Sequence, residues 1–113
     1  MSAVAILDQA RDVLDSTSPS RNRIACWLAR SALEQVVREL LSAKGRPVGR
    51  ATMASSLTCL EVAYAADPLV ADRAEFAWAR LSNACHQHAF ELSPTASEAA
   101  NLVEIVAELA AVT

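Results

Sequence analysis

The stretch NACHQHAFELSPT, residues 83–95, holds both histidines of the chain, His86 and His88, beside Cys85. An imidazole can ligate a metal, move a proton near neutral pH or settle into a core with one hydrogen bond. Two histidines that share a metal on one helix stand four residues apart, as in H-E-x-x-H, so that both rings lie on one face. His86 and His88 are only two apart and point about 160° away from each other at 100° per residue. No metal site is expected, and no cofactor.

On a helix running from about residue 69 to 92, His88 returns to the angular position of Val70. It continues an apolar stripe of Val70, Ala74, Ala77, Leu81 and Ala84. The opposite side carries Phe76, Arg80, Asn83, Gln87 and Phe90, two aromatic rings interleaved with groups that can hydrogen-bond across an interface. Another helix of the chain or a second subunit is expected to cover this seam. A histidine between apolar surface and such a seam is either a core residue or a proton-transfer group.

These residues need elements to position them, and the punctuation marks five helical segments. The first spans about 2–16, with Val4, Leu7 and Leu14 inward. STSPSR follows, with Ser18 as N-cap and Pro19 at the first helical position, where its missing N–H costs nothing. The second helix continues to about Lys44, and its Leu33, Val36, Val37, Leu40 and Leu41 form one apolar stripe. Arg30, Glu34 and Arg38 make an i, i+4 ladder on another face, and Gly45 ends the helix. The loop GRPVGR leads to a third helix, about 52–66, with Met53, Leu57, Leu60 and Tyr64 inward. Asp67-Pro68 closes it and the fourth follows. TASE, Thr95 to Glu98, is a capping box for a fifth helix, about 96–111, presenting Leu102, Ile105, Val106 and Leu109. An all-α, up-and-down bundle of four to five helices in a single domain, 1–113, is predicted.

Composition agrees. Apolar residues make up 53% of the 113 and aromatics 4%, so alanine, leucine and valine supply the core, as close-packed helices require. No apolar run reaches the roughly 18 uncharged residues of a membrane span, and Asp8 interrupts the N-terminal segment before a signal-like core could form. A soluble, cytoplasmic protein is expected. Cys26, Cys59 and Cys85 show no CxxC spacing and read as three small buried thiols. The net charge of −3 conceals a basic segment, residues 11–50 at +4, and an acidic one, residues 51–113 at −6. Such a chain can offer a local basic face to phosphate without attracting nucleic acid over its whole surface.

ARSALEQVVRELLSAKG (29–45), followed by AWARLSNACHQHAFELSPTASEA (77–99), resembles a small actinobacterial branch of the HEPN superfamily. The resemblance covers roughly residues 20–112, and ACHQHAFELSPT is its most specific part. It implies an all-helical, homodimeric, RNA-associated domain, often a metal-independent ribonuclease or the toxin of a toxin–antitoxin pair. The family motif is an Arg, four to six residues, then a His, often followed by x-Tyr. The Arg holds the scissile phosphate and the His serves as acid or base at the ribose 2′-OH, with two copies meeting across the dimer.

In this chain the motif reads Asn83-x4-His88-x-Phe90, so Asn83 stands at the Arg position and Phe90 at the Tyr position. Asn can hydrogen-bond to a phosphate but brings no charge to the transition state. The missing phenol removes the hydroxyl that a partner nucleotidyltransferase modifies in some HEPN pairs. Arg80-x5-His86 satisfies the looser spacing and offers a substitute guanidinium. The resemblance therefore implies catalytic roles for His88, Asn83, Arg80 and His86, and a cognate antitoxin or nucleotidyltransferase as partner. Two functions remain open: a metal-independent endoribonuclease, and a catalytically inactive domain that dimerises and binds.

Overall fold

The computed structural model describes residues 1–86 and 93–112. Its elements are α1 (Ala3–Leu14), α2 (Arg21–Ala43), α3 (Met53–Ala63), α4 (Pro68–Cys85) and α5 (Ala96–Ala110), with no strand among the described residues. None of these helices is long and apolar enough to cross a membrane.

Local chemistry starts and stops the helices. The Ser2 hydroxyl accepts from the Ala5 amide (3.1 Å), Thr52 from Ser55 (3.2 Å) and Thr95 from Glu98 (3.1 Å), each an N-cap of about 1 kcal/mol. The Glu98 carboxylate accepts from the Thr95 hydroxyl itself (3.3 Å), which ties the two side chains of the expected capping box together. Helix α2 begins later than expected. The Ser18 carbonyl accepts the Arg21 amide (3.2 Å), so Pro19 and Ser20 form a turn and Ser20, not Ser18, is the N-cap. At the far end Gly45, with φ 71°, takes the left-handed conformation that lets the Arg46 amide reach the Leu41 carbonyl (2.9 Å).

Helix α2 is the centre of the bundle and touches each of the other four. Its Ala25, Cys26, Ala29, Ala32, Leu33, Val36, Val37, Leu40 and Leu41 are wholly buried. Three polar contacts fix the directions of its neighbours. Arg73 near the start of α4 meets Glu108 near the end of α5 (2.7 Å), so these two run antiparallel. Arg11 near the end of α1 forks onto Glu104 of α5 through Nε and one terminal nitrogen (3.0 and 3.2 Å). Asn22 at the start of α2 donates to the Pro94 carbonyl just ahead of α5 (3.1 Å), so α2 and α5 run the same way. The result is an up-and-down arrangement of α1, α2, α4 and α5, with α3 inserted in the α2–α4 connection and packed on both.

The expected apolar stripe of α2 is buried, and so is that of α5 apart from a half-buried Ile105, but α1 differs. Val4 is 58% exposed, while Ala3, Leu7 and Ala10 face inward. Small alanines at the contact let α1 close onto α2, and Val4, one residue off that line, is turned outward.

Tyr64, at the end of α3, donates its hydroxyl to the Leu40 carbonyl (2.7 Å). That carbonyl needs a partner, because the Lys44 amide bonds to Leu41 instead. The Lys44 ammonium sits over the same ring, 4.8 Å from its centroid. Tyr64→Phe is expected to lower stability by about 1–3 kcal/mol, read as a lower thermal midpoint by circular dichroism. An unchanged midpoint would contradict this contact.

Across α3 and α4, the Glu75 pKa is raised by a side-chain hydrogen bond to Glu61, with burial and the charges of Glu61 and Asp72 adding to it. A carboxyl raised in the folded state stabilises the fold at acid pH, and that contribution disappears as pH climbs through the raised value. Glu75→Gln keeps a donor toward Glu61 without the charge. It should raise the melting temperature at pH 8 and leave it unchanged at pH 3; equal shifts at both would contradict the assignment.

Candidate functional site

Helix α4 positions the candidate residues. Val70, Ala74, Ala77, Leu81 and Ala84 are buried as the spacing predicts, so the helix shows its other faces to solvent and to the flanking helices. It stops at Cys85. His86 has φ −106° and ψ 34°, and its amide closes on the Ser82 carbonyl (3.0 Å). The sequence predicts a helix to about residue 92, and residues 87–92, with Gln87, His88 and Phe90 among them, lie outside the described ones.

Arg80 and Asn83 are both exposed, three residues apart on α4, and His86 is exposed at its C-cap. The structure therefore brings three of the four candidate side chains to one end of one helix. The Arg80 guanidinium lies over the Phe76 ring, 5.4 Å from its centroid, and Phe76 is 46% exposed. Both border a groove of about 210 Å³ between α4 and α5, shared with Glu98, Asn101 and Leu102. So α5 lines the seam expected from the sequence without covering it. Among the described residues Arg80 forms no ion pair.

The electrostatics of this end are mixed. The N-termini of α2 and α5 lie here together, joined by the Asn22–Pro94 bond, and their free amides favour an anion. Arg21 and Arg23 stand in the first turn of α2, and Arg23 reaches the Ser93 hydroxyl (3.4 Å). Against this, Glu98 sets a carboxylate in the groove beside Arg80. A phosphate ester would find donors from Arg80 and Asn83 and would be repelled by Glu98.

On the opposite flank of α4 lies a cluster that the helix patterns did not single out. The Arg30 guanidinium of α2 lies 4.4 Å over the Trp78 ring. Among the described residues, its Nε is buried without a hydrogen-bond partner, and so is the Ser82 hydroxyl. Of the expected Arg30–Glu34–Arg38 ladder, Arg30 and Glu34 come to 3.8 Å, and no Glu34–Arg38 ion pair is present among the described residues. Arg30 was legible only as a ladder charge. The signal that could have found its real partner is Trp78, Ser82 and Cys85 at i, i+4 and i+7, one flank of α4.

The cysteines also depart from expectation. Cys26 is buried and Cys85 half-buried, but Cys59 is exposed, because α3 packs through Ser56, Leu57 and Leu60 and turns Cys59 outward. Burial pushes the Cys26 thiol up to about 11, with the neighbouring Cys85 and Glu98 adding to the shift. Burial raises Cys85 too, while the Arg30 charge pulls it back. Among the described residues no group of three or more His, Cys, Asp or Glu could hold a metal ion.

No family model, no curated protein and no solved structure matches the chain.

With iodoacetamide at pH 8, Cys59 should be alkylated first, Cys85 more slowly, and Cys26 only on unfolding. Peptide mass spectrometry over a time course reads the order. Labelling of native Cys26 as fast as Cys59 would contradict the packing of α2.

Proposed function

We propose that the chain is an RNA-associated domain of HEPN type, and that the end of α4 bearing Arg80, Asn83 and His86 meets the phosphodiester backbone. The observation that carries this is the joint exposure of these three side chains within two turns, beside the N-termini of α2 and α5. In the reaction such residues suit, a ribose 2′-OH attacks the adjacent phosphorus and the 5′-oxygen of the next nucleotide leaves. The products are a 2′,3′-cyclic phosphate and a 5′-OH. One histidine, His88 or His86, accepts the 2′-OH proton, and an acid returns a proton to the leaving oxygen. Arg80 supplies positive charge to the phosphoryl oxygens and Asn83 a second donor, so the chemistry runs without a metal. The setting we propose is a homodimer in a defence or toxin–antitoxin pair, with an antitoxin or nucleotidyltransferase as partner.

A second reading, a catalytically inactive HEPN domain that dimerises and binds, is favoured by two observations. Asn83 brings no charge where the motif has an Arg, and Glu98 shares the groove of Arg80. The two separate in one assay on labelled mixed-sequence RNA in EDTA. The nuclease reading expects cleavage that His88→Ala abolishes and Arg80→Ala slows by about 10²–10³, the cost of losing one transition-state donor. Silence that becomes cleavage in Asn83→Arg would favour the binding module. Silence in every variant would overturn the ribonuclease proposal.

A further inference from the structure

Trp27 of α2 is 59% exposed, and Ile24, one turn earlier, is 41% exposed. An indole left in water beside a well-packed core is an unusual use of the largest apolar side chain. Its neighbours along the helix are charged. Arg23 stands four residues before it and Arg30 three after, both within about 60° of Trp27 around the axis. From residue 23 to 38 this face carries Arg23, Arg30 and Arg38 against Glu34, on a chain whose net charge is −3. Beside Trp27, the Arg30 guanidinium is already laid on Trp78 at 4.4 Å. Glu34 approaches it only to 3.8 Å, beyond hydrogen-bond distance.

We infer that this face of α2, with Trp78 of α4, is a base-stacking track for single-stranded RNA. An exposed indole between guanidinium groups offers what such a strand needs: a flat surface for a base and cations for the phosphates on either side. Charge selects this occupant over a second copy of the chain. A second copy would bring the same excess, three guanidinium groups against one carboxylate, to the contact, whereas a polyanion neutralises them.

Position gives the track a direction. Trp78, Ser82 and Cys85 lie on the α2 flank of α4, while Phe76 and Arg80 lie on the α5 flank. His86 is exposed at the tip between them. The inference rests on the RNA reading above for its choice of ligand, but it concerns binding and needs no cleavage.

The test uses a fluorescein-labelled 12-nucleotide 2′-O-methyl oligoribonucleotide, in which the blocked hydroxyl prevents cleavage. Binding is followed by anisotropy at several salt concentrations, and oligomeric state by sedimentation. Trp27→Ala should weaken binding about tenfold or more, the effect of removing one stacking partner, and Trp27→Phe should restore most of it. Arg30→Gln should reduce the salt slope by about one. Affinity unchanged in Trp27→Ala overturns the track, as does a Trp27→Ala effect confined to dissociation of a dimer. The two proposals fail separately. Absent cleavage with Trp27-dependent binding removes only the nuclease, and intact cleavage with Trp27-independent binding removes only the track.

Discussion

The fold depends on one stripe along α2. Nine wholly buried side chains run along it from Ala25 to Leu41, and each of the other helices finds part of its core against them. The stripe changes character along its length. Ala25, Cys26, Ala29 and Ala32 occupy the N-terminal half, where small side chains let neighbouring backbones come close. Leu33, Val36, Val37, Leu40 and Leu41 fill the other half, where α3 adds its own leucines and Tyr64. Close packing of this kind makes interior volume changes costly, so the stripe sets the spacing of everything attached to it.

That spacing creates the end that carries the candidate residues. Because α2 and α5 run the same way and α4 runs against both, the N-termini of two helices and the C-terminus of the third converge. The narrow, alanine-rich half of α2 lies at this end. Large side chains that find no room inside are turned to the surface: Trp27 outward on α2, Phe76 into the groove with α5, and Trp78 at the margin under Arg30. Arginines then cover two of these rings, Arg30 over the half-buried Trp78 and Arg80 over the exposed Phe76. A core too slim for aromatic residues thus produces an exterior that alternates rings and guanidinium groups.

Much of this was legible from residue types. Leu33 through Leu41 repeat at helical spacing, Gly45 is the residue that tolerates a left-handed C-cap, and Thr95 precedes Glu98 by the capping distance. The illegible parts share a cause, namely tertiary packing that local pattern does not encode. Val4 is more apolar than Ala3, yet the alanine faces inward because helix approach rewards small size there. Cys59, next to the buried Leu60, is exposed because α3 packs through Ser56, Leu57 and Leu60. The stop at Cys85 has no local mark, since neither Gly nor Pro occurs between it and Pro94. The site was legible only in part. Arg80, Asn83 and His86 reach one end of α4 as a helix requires, but neither the Glu98 carboxylate in the groove nor the Arg30–Trp78 stack could be read from spacing along a single helix.

Whether this end of the bundle engages RNA is tested most directly by amide and indole chemical shifts. A ¹⁵N-labelled sample would be titrated with a short, non-cleavable single-stranded oligoribonucleotide. The prediction is a contiguous set of shifts at the N-terminal half of α2, the end of α4 from Arg80 to His86 and the start of α5, together with movement of the Trp27 indole N–H. Amides of α3 and of the Leu69–Val112 end should stay in place. Shifts centred on that opposite end, or none at oligonucleotide concentrations well above the protein's, would contradict the account.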